Sequence, residues 1–219
     1  MVAKLRDPVS AISHYIGAGL SVVAIVVVSL SRVFGFEVTI LNMVSTLVFT
    51  SSMFLLYLAS GLYHSVNFTG KKLMIFRKID HSMIYVLIAG SYTPFLLAMS
   101  DRKMGVILLV IIWTLALVGV VLKIFFFNMP RAVGTGMYIA LGWLVIFFAK
   151  DIARILPLWA LILLVAGGIS YSIGGLIYIL KKPSFKKVNF HDIFHFFVLG
   201  GTTAQFFSVY FGILLAKGA

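Results

Sequence analysis

Seven apolar runs, each about as long as a bilayer is thick and parted by short basic tracts, leave this chain few ways to fold. A hydrocarbon core of about 30 Å takes roughly 20 helical residues. Such runs lie at approximately 10–32, 40–67, 79–99, 104–126, 132–149, 157–180 and 191–215 of the 219 residues. In lipid every backbone N–H and C=O must be satisfied within its own segment or in a closed barrel, so runs of this length are expected to be helices. At 62% hydrophobic residues the chain is too apolar for a water-soluble domain. The connections are short, with no low-complexity linker and no internal repeat. Residues 1–219 are therefore expected to form one all-α integral membrane domain, a seven-helix transmembrane bundle. The first run exceeds a signal-peptide core and has no small-residue cleavage pattern after it, so it is expected to be retained.

Charge sets the expected orientation. Eighteen Lys and Arg oppose six acidic residues, a net charge of +12. A balance this basic suits nucleic acid or anionic lipid, and its distribution between apolar runs favours lipid headgroups over nucleic acid. Lys4, Arg6, Lys71, Lys72, Arg77, Lys78, Lys123, Arg131, Lys181, Lys182, Lys186 and Lys187 fall on one side of such a bundle. Arg32, Arg102, Lys103, Lys150, Arg154 and Lys217 fall on the other. The positive-inside rule then gives a cytoplasmic N-terminus and an external C-terminus. That is the reverse of a G-protein-coupled receptor, and the last span has no mid-membrane lysine to form a retinal Schiff base. In the sixth span Ala166, Ser170 and Gly174 recur at four-residue spacing, which permits close helix approach.

Polar side chains in these spans carry the chemistry. Histidine and carboxylate are costly in a bilayer and usually face the bundle interior, paired or functional. His14, His64, Asp80, His81, His191 and His195 all fall at the expected cytoplasmic ends. His191 and His195 are about 40° apart around a helix, so both imidazoles leave one stripe, a spacing that presents two nitrogens to one metal. Thr202 and Gln205 continue that stripe. Tyr57 and Ser60 share the face of His64, and Ser91 that of Asp80. Cysteine is absent, so a metal would need imidazole and carboxylate. Three imidazoles with an open position suit a catalytic Zn²⁺, although copper, nickel and iron also accept imidazole. Asp80 is then a proton acceptor, and Ser60 a ligand-orienting or oxyanion-binding hydroxyl. Blander roles stand beside these. His14 and His81 fit core, supporting or headgroup positions, Ser60 could bond back to the carbonyl of residue 56, and Asp80 could cap the third span.

The segments SGLYH (Ser60 to His64), Asp80 sixteen residues on, and HDIFH (His191 to His195) resemble the motifs of the hemolysin III family. That family belongs with the progestin and adiponectin receptors and, more distantly, the alkaline ceramidases. DPVSAISHYIGAG, Asp7 to Gly19, is similar to its opening segment, which commonly has Glu where Asp7 stands. The resemblance covers essentially the whole chain. It implies a seven-helix bundle in a plasma membrane, the cytoplasmic membrane of a bacterium, with zinc near the cytoplasmic face. His64, His191 and His195 match its ligands, and Ser60 and Asp80 its flanking polar pair. Ceramidases hydrolyse the amide of ceramide, whereas hemolysin III members take their name from lytic activity and are linked to membrane-lipid homeostasis. Three functions follow as expectations. The first is a zinc-dependent hydrolase of a membrane lipid amide or ester. The second is a receptor-like sensor with structural zinc. The third is a pore, disfavoured because the outer halves of the spans are nearly all apolar.

Overall fold

The structure, a computed structural model, describes residues 5–216. Lys4 and Lys217, counted above in the charge balance, lie outside them. Helices α1 (Pro8–Leu30), α2 (Ile40–Ser65), α3 (Gly70–Leu97), α4 (Arg102–Phe125) and α5 (Arg131–Trp143) come first. A 3₁₀ segment (Leu144–Phe148) leads into the short α6 (Ala149–Ile155), then α7 (Leu158–Leu180) and α8 (Phe190–Val209), which ends in a π turn at Tyr210–Leu214. No strand is present among the described residues. Six segments are long and apolar enough to cross a bilayer: α1, α2, α4, Arg131–Ile155, α7 and Phe190–Leu214. The chain is thus an all-helical, multi-pass membrane protein. The longest helix, α3, is not among the six, because Lys71, Lys72, Arg77, Lys78 and Asp80 crowd its first half.

Local chemistry starts and stops these helices. Pro8 at the first position of α1 has no N–H to leave unsatisfied. Thr39 caps α2 by accepting from the Asn42 N–H at 3.1 Å. Asn189 and Asp192 form a reciprocal capping box at α8, each side chain accepting from the other residue's backbone N–H. Two expectations change here. Helix α3 begins at Gly70 rather than near 79, since charge opposes membrane insertion but not helix formation. Asp80 therefore lies well inside the helix and caps nothing. The run expected at 132–149 is interrupted at Trp143, and Tyr92 on α3 serves the interruption. Its hydroxyl donates to the Gly142 and Leu141 carbonyls, at 2.6 and 3.0 Å, and accepts from the Val145 N–H at 3.0 Å. Backbone groups freed at a break in a membrane helix need partners of this kind.

Consecutive helices pack side by side from α1 to α4, α7 and α8 form a second close pair, α8 closes against α1, and α5 stands between α3 and α7. The α7–α8 approach depends on small residues, but not on the full set expected. Ser170 donates to the Phe197 carbonyl at 2.8 Å, and a Cβ on Gly174 would come within 2.8 Å of Phe197 Cβ. Ala166, however, is exposed. Gly167 takes that place, facing Gly201 so closely that a Cβ on it would meet the Gly201 carbonyl oxygen at 2.9 Å. A strict four-residue count misses it because a helix drifts against that spacing, and the nearest small residue on the true contact line is one position on.

Candidate metal centre

Three imidazoles meet at one end of the bundle. His64 comes from the last turn of α2, and His191 and His195 from the first turns of α8. One ligand nitrogen from each lies within 4.8 Å of the other two, and the three residues are buried or half-buried. The ring centroids are 4.8 to 5.0 Å apart. His64 Nε2, His191 Nε2 and His195 Nδ1 are buried without any hydrogen-bond partner. Buried polar atoms are almost always paired, so three imidazoles this close, each with a buried orphan nitrogen, mark a site that a metal ion would satisfy. The donor set, three neutral nitrogens and no thiolate, fits a borderline divalent cation with one coordination position left open.

A feature not singled out as part of the site stands behind His64. Asp7, preceding α1, donates its backbone N–H to the His64 carbonyl at 3.0 Å, and its Oδ2 lies 2.9 Å from His64 Nδ1. The carboxylate holds the proton on Nδ1 and turns Nε2 toward the other imidazoles, a common support for metal-binding histidine. Partial burial works to raise the Asp7 pKa. The hydrogen bonds from His64 and Arg6 outweigh it and hold the carboxyl below its ordinary range. The neighbouring Ser10 hydroxyl donates to Asp192 Oδ1 at 2.6 Å, tying α1 to the cap from which His191 projects. His14, one turn further along α1, stacks on His195 with centroids 3.7 Å apart and planes 14° apart. The opening turns of α1 thus buttress all three candidate ligands. In the sequence, Asp7 lies outside the first apolar run, and nothing local says that the start of α1 meets the end of α2.

A cavity of about 240 Å³ opens from this centre, with His14, Ser60, Asp80, His81, His191 and His195 on its wall. Ser60 Oγ is buried and unpartnered, so it does not bond back to residue 56. It lies near enough to Asp80 to interact with that carboxyl, though without an ordinary hydrogen bond. His81 sits apart from the three ligands, its ring edge-on to Phe127 at 5.5 Å. Gln205 and Ser91 also line the cavity, while Ser91 Oγ donates to the Ile88 carbonyl at 2.8 Å. Tyr57 meets His14 edge-on at 5.0 Å. Thr202 donates to the Val198 carbonyl at 2.8 Å and lies 2.7 Å from the Tyr171 hydroxyl. Away from the histidines the wall is mostly apolar. On the α5–α6 side it runs from Thr135 to Ile152, roughly 25 Å along the helix axis. Ile146 and Val165 both line the cavity and are 62% and 42% exposed. The cavity therefore reaches the side of the bundle where the break after α5 faces α7.

Known proteins resemble this chain along most of its length. Residues 2–206 match the family model described as haemolysin-III related. A hemolysin-3 homolog of Bacillus subtilis (strain 168) is 46% identical over 204 residues, 92% of each chain. Hemolysin-3 of Bacillus cereus is 42% identical over 205 residues, covering 94% of this chain and 90% of its own. With the three-histidine centre at one end of a helical bundle and similarity across nearly the whole sequence, the chain belongs to the haemolysin-III related family.

Proposed function

We propose that this protein is a zinc-dependent hydrolase of a membrane lipid amide or ester, with His64, His191 and His195 as ligands, and that it contributes to membrane-lipid homeostasis. The observation that carries the reading is the convergence of three imidazoles, two of which, His191 and His195, wall the polar end of a mostly apolar cavity. In this reading α3 crosses the bilayer as a seventh span. The N-terminus and the histidine end face the cytoplasm, the C-terminus is external, and the chain resides in the plasma membrane.

Zinc, when bound, supplies a Lewis acid that polarises a carbonyl and makes water acidic near neutral pH. The remaining work falls to the chain. The apolar cavity takes an acyl chain through its lateral opening beside Ile146 and Val165 and places the scissile carbonyl at the histidine end. Asp80 removes a proton from the attacking water and delivers it to the leaving amine or alcohol, so that one water adds across the bond and a fatty acid is released. The Ser60 hydroxyl, beside Asp80 and on the cavity wall, donates to the oxygen on which negative charge develops. Asp7 keeps His64 in the tautomer that leaves Nε2 available.

Metal analysis of the purified protein beside His64→Ala and His191→Ala, together with fatty-acid release from a panel of lipid amides and esters, tests this. One zinc per chain is expected in wild type and a large loss in both variants. Asp80→Asn is expected to keep zinc and lose turnover. Equal metal content in all three chains would overturn the centre. Zinc-loaded protein that releases no fatty acid, with function insensitive to Asp80→Asn, would replace the hydrolase by a sensor with structural zinc.

A further inference from the structure

We propose that Arg77, Lys123 and Arg131 form a phosphate-binding collar beside the candidate metal centre, holding the anionic headgroup of a lipid whose chain lies in the cavity. Lys123, in the last turn of α4, is only 7% exposed. Its Nζ rests 5.7 Å from the Phe127 ring and 5.5 Å from the Tyr138 ring, against Gly134, where a Cβ would come within 2.6 Å of it. Arg77, from α3, shares that Phe127 ring at 5.1 Å. Arg131, at the start of α5, lies 4.4 Å from the Tyr178 ring and donates to the Tyr178 carbonyl at 3.1 Å. Three cations from three helices thus gather on aromatic faces, and a buried charge needs a counter-charge.

Among the described residues no carboxylate forms an ion pair with any of the three. Of its six acidic residues, Asp7 is engaged by Arg6 and His64, Asp192 by Ser10 and the α8 cap, Asp101 by the Met104 N–H, and Asp151 by Arg154. Glu37 precedes α2, whose other end carries His64. Asp80, three residues after Arg77 on α3, is attracted by the charges of His64 and Arg77 but forms no ion pair among the described residues, which leaves Lys123 and Arg131 without a carboxylate. Phosphate oxygens suit what is missing, because guanidinium binds them in pairs of charge-assisted hydrogen bonds and lysine as a point charge. The exposed Lys71, Lys72, Lys181, Lys182, Lys186 and Lys187 suffice for ordinary anchoring to bulk anionic lipid. Lys123 differs from them in being buried.

The collar adjoins the cavity. Tyr138 and Tyr178 line it, and each has one of the cations against its ring. Tyr178 also lies 5.3 Å from His191, so a single ring separates Arg131 from a candidate ligand. The inference rests on the proposed function only for the lipid chain in the cavity, and the phosphate contact is measurable without any reaction.

The test is thermal unfolding of the purified full chain in detergent, titrated with phosphatidylglycerol, with diacylglycerol of the same acyl chains, or with inorganic phosphate. Phosphatidylglycerol is expected to raise the unfolding temperature saturably and diacylglycerol not to. Lys123→Met and Arg131→Gln are expected to need about tenfold more phosphatidylglycerol, as the loss of one charge-assisted bond implies, with zinc content unchanged. Should Lys123→Met not fold, Arg131→Gln and Arg77→Gln carry the comparison. Equal shifts in wild type and variants, or a shift with diacylglycerol, would overturn the collar. A shift with inorganic phosphate but not with phosphatidylglycerol would overturn the lipid as its source. Intact phosphatidylglycerol binding without any fatty-acid release would count against the hydrolase reading alone.

Discussion

Asp7 shows how one side chain can orient a candidate metal ligand from outside the cluster. The carboxylate accepts from His64 Nδ1 at 2.9 Å, while its own N–H binds the His64 carbonyl at 3.0 Å, so backbone and side chain are both held. Removing the carboxylate frees the imidazole to rotate and to move its proton. Asp7→Ala is expected to weaken zinc binding about 10- to 100-fold, the usual cost of losing such a support, and a competition titration against a chelating dye would measure it. No change in affinity would mean that packing alone orients His64. The ligand pair on α8 could be read from spacing, because four residues on a helix always return to nearly the same face. The partnership of Asp7 and His64, 57 positions apart, depends on which helix ends meet.

At the scale of elements, irregular backbone shapes the cavity as much as the regular helices do. The 3₁₀ segment after Trp143 contributes Val145 and Ile146 to the cavity wall, and Tyr92 gives three freed backbone groups a partner. Tyr92→Phe leaves those groups with one another or with nothing. A loss of about 1–3 kcal/mol is expected, the cost of unsatisfied buried polar groups, seen as a lower unfolding temperature in detergent. An unchanged temperature would mean that water or lipid serves the break. Apolar content located the run 132–149, but apolar content is the same for an α-helix and a 3₁₀ turn, so the break was not legible. At α3 the helix starts at Gly70, ahead of the span expected from about 79, because the charged residues before it leave no apolar signal although they are helical. Small residues at 166, 170 and 174 identified the right helix face only in part, because Gly167 rather than Ala166 faces Gly201.

For the molecule as a whole, the charge balance gives a checkable orientation. The chain has no cysteine, so a single introduced one reports its own side of the membrane. Glu37→Cys, in the α1–α2 connection, is expected to react with a membrane-impermeant maleimide added to intact cells. Ser184→Cys, in the α7–α8 connection, is expected to react only after the cells are opened. The opposite pattern would invert the proposed topology and put the histidine end outside. Both positions are exposed, so reactivity would follow sidedness rather than burial.

The sequence by itself determined that the chain lives in a membrane as helices, because backbone groups in lipid leave no other economical structure for long apolar runs. It also determined that two histidines would share a face, because helical periodicity is a local property. That His64 joins them was implied by the family resemblance, whereas the packing of the helices is what sets Asp7, Ser10 and His14 behind all three and opens a mostly apolar cavity from the centre to the side of the bundle. Those relations join residues from 57 to 182 positions apart. They are fixed by which helix ends pack together and by the few ångströms that glycines and a broken helix leave open, and neither is written in any single segment.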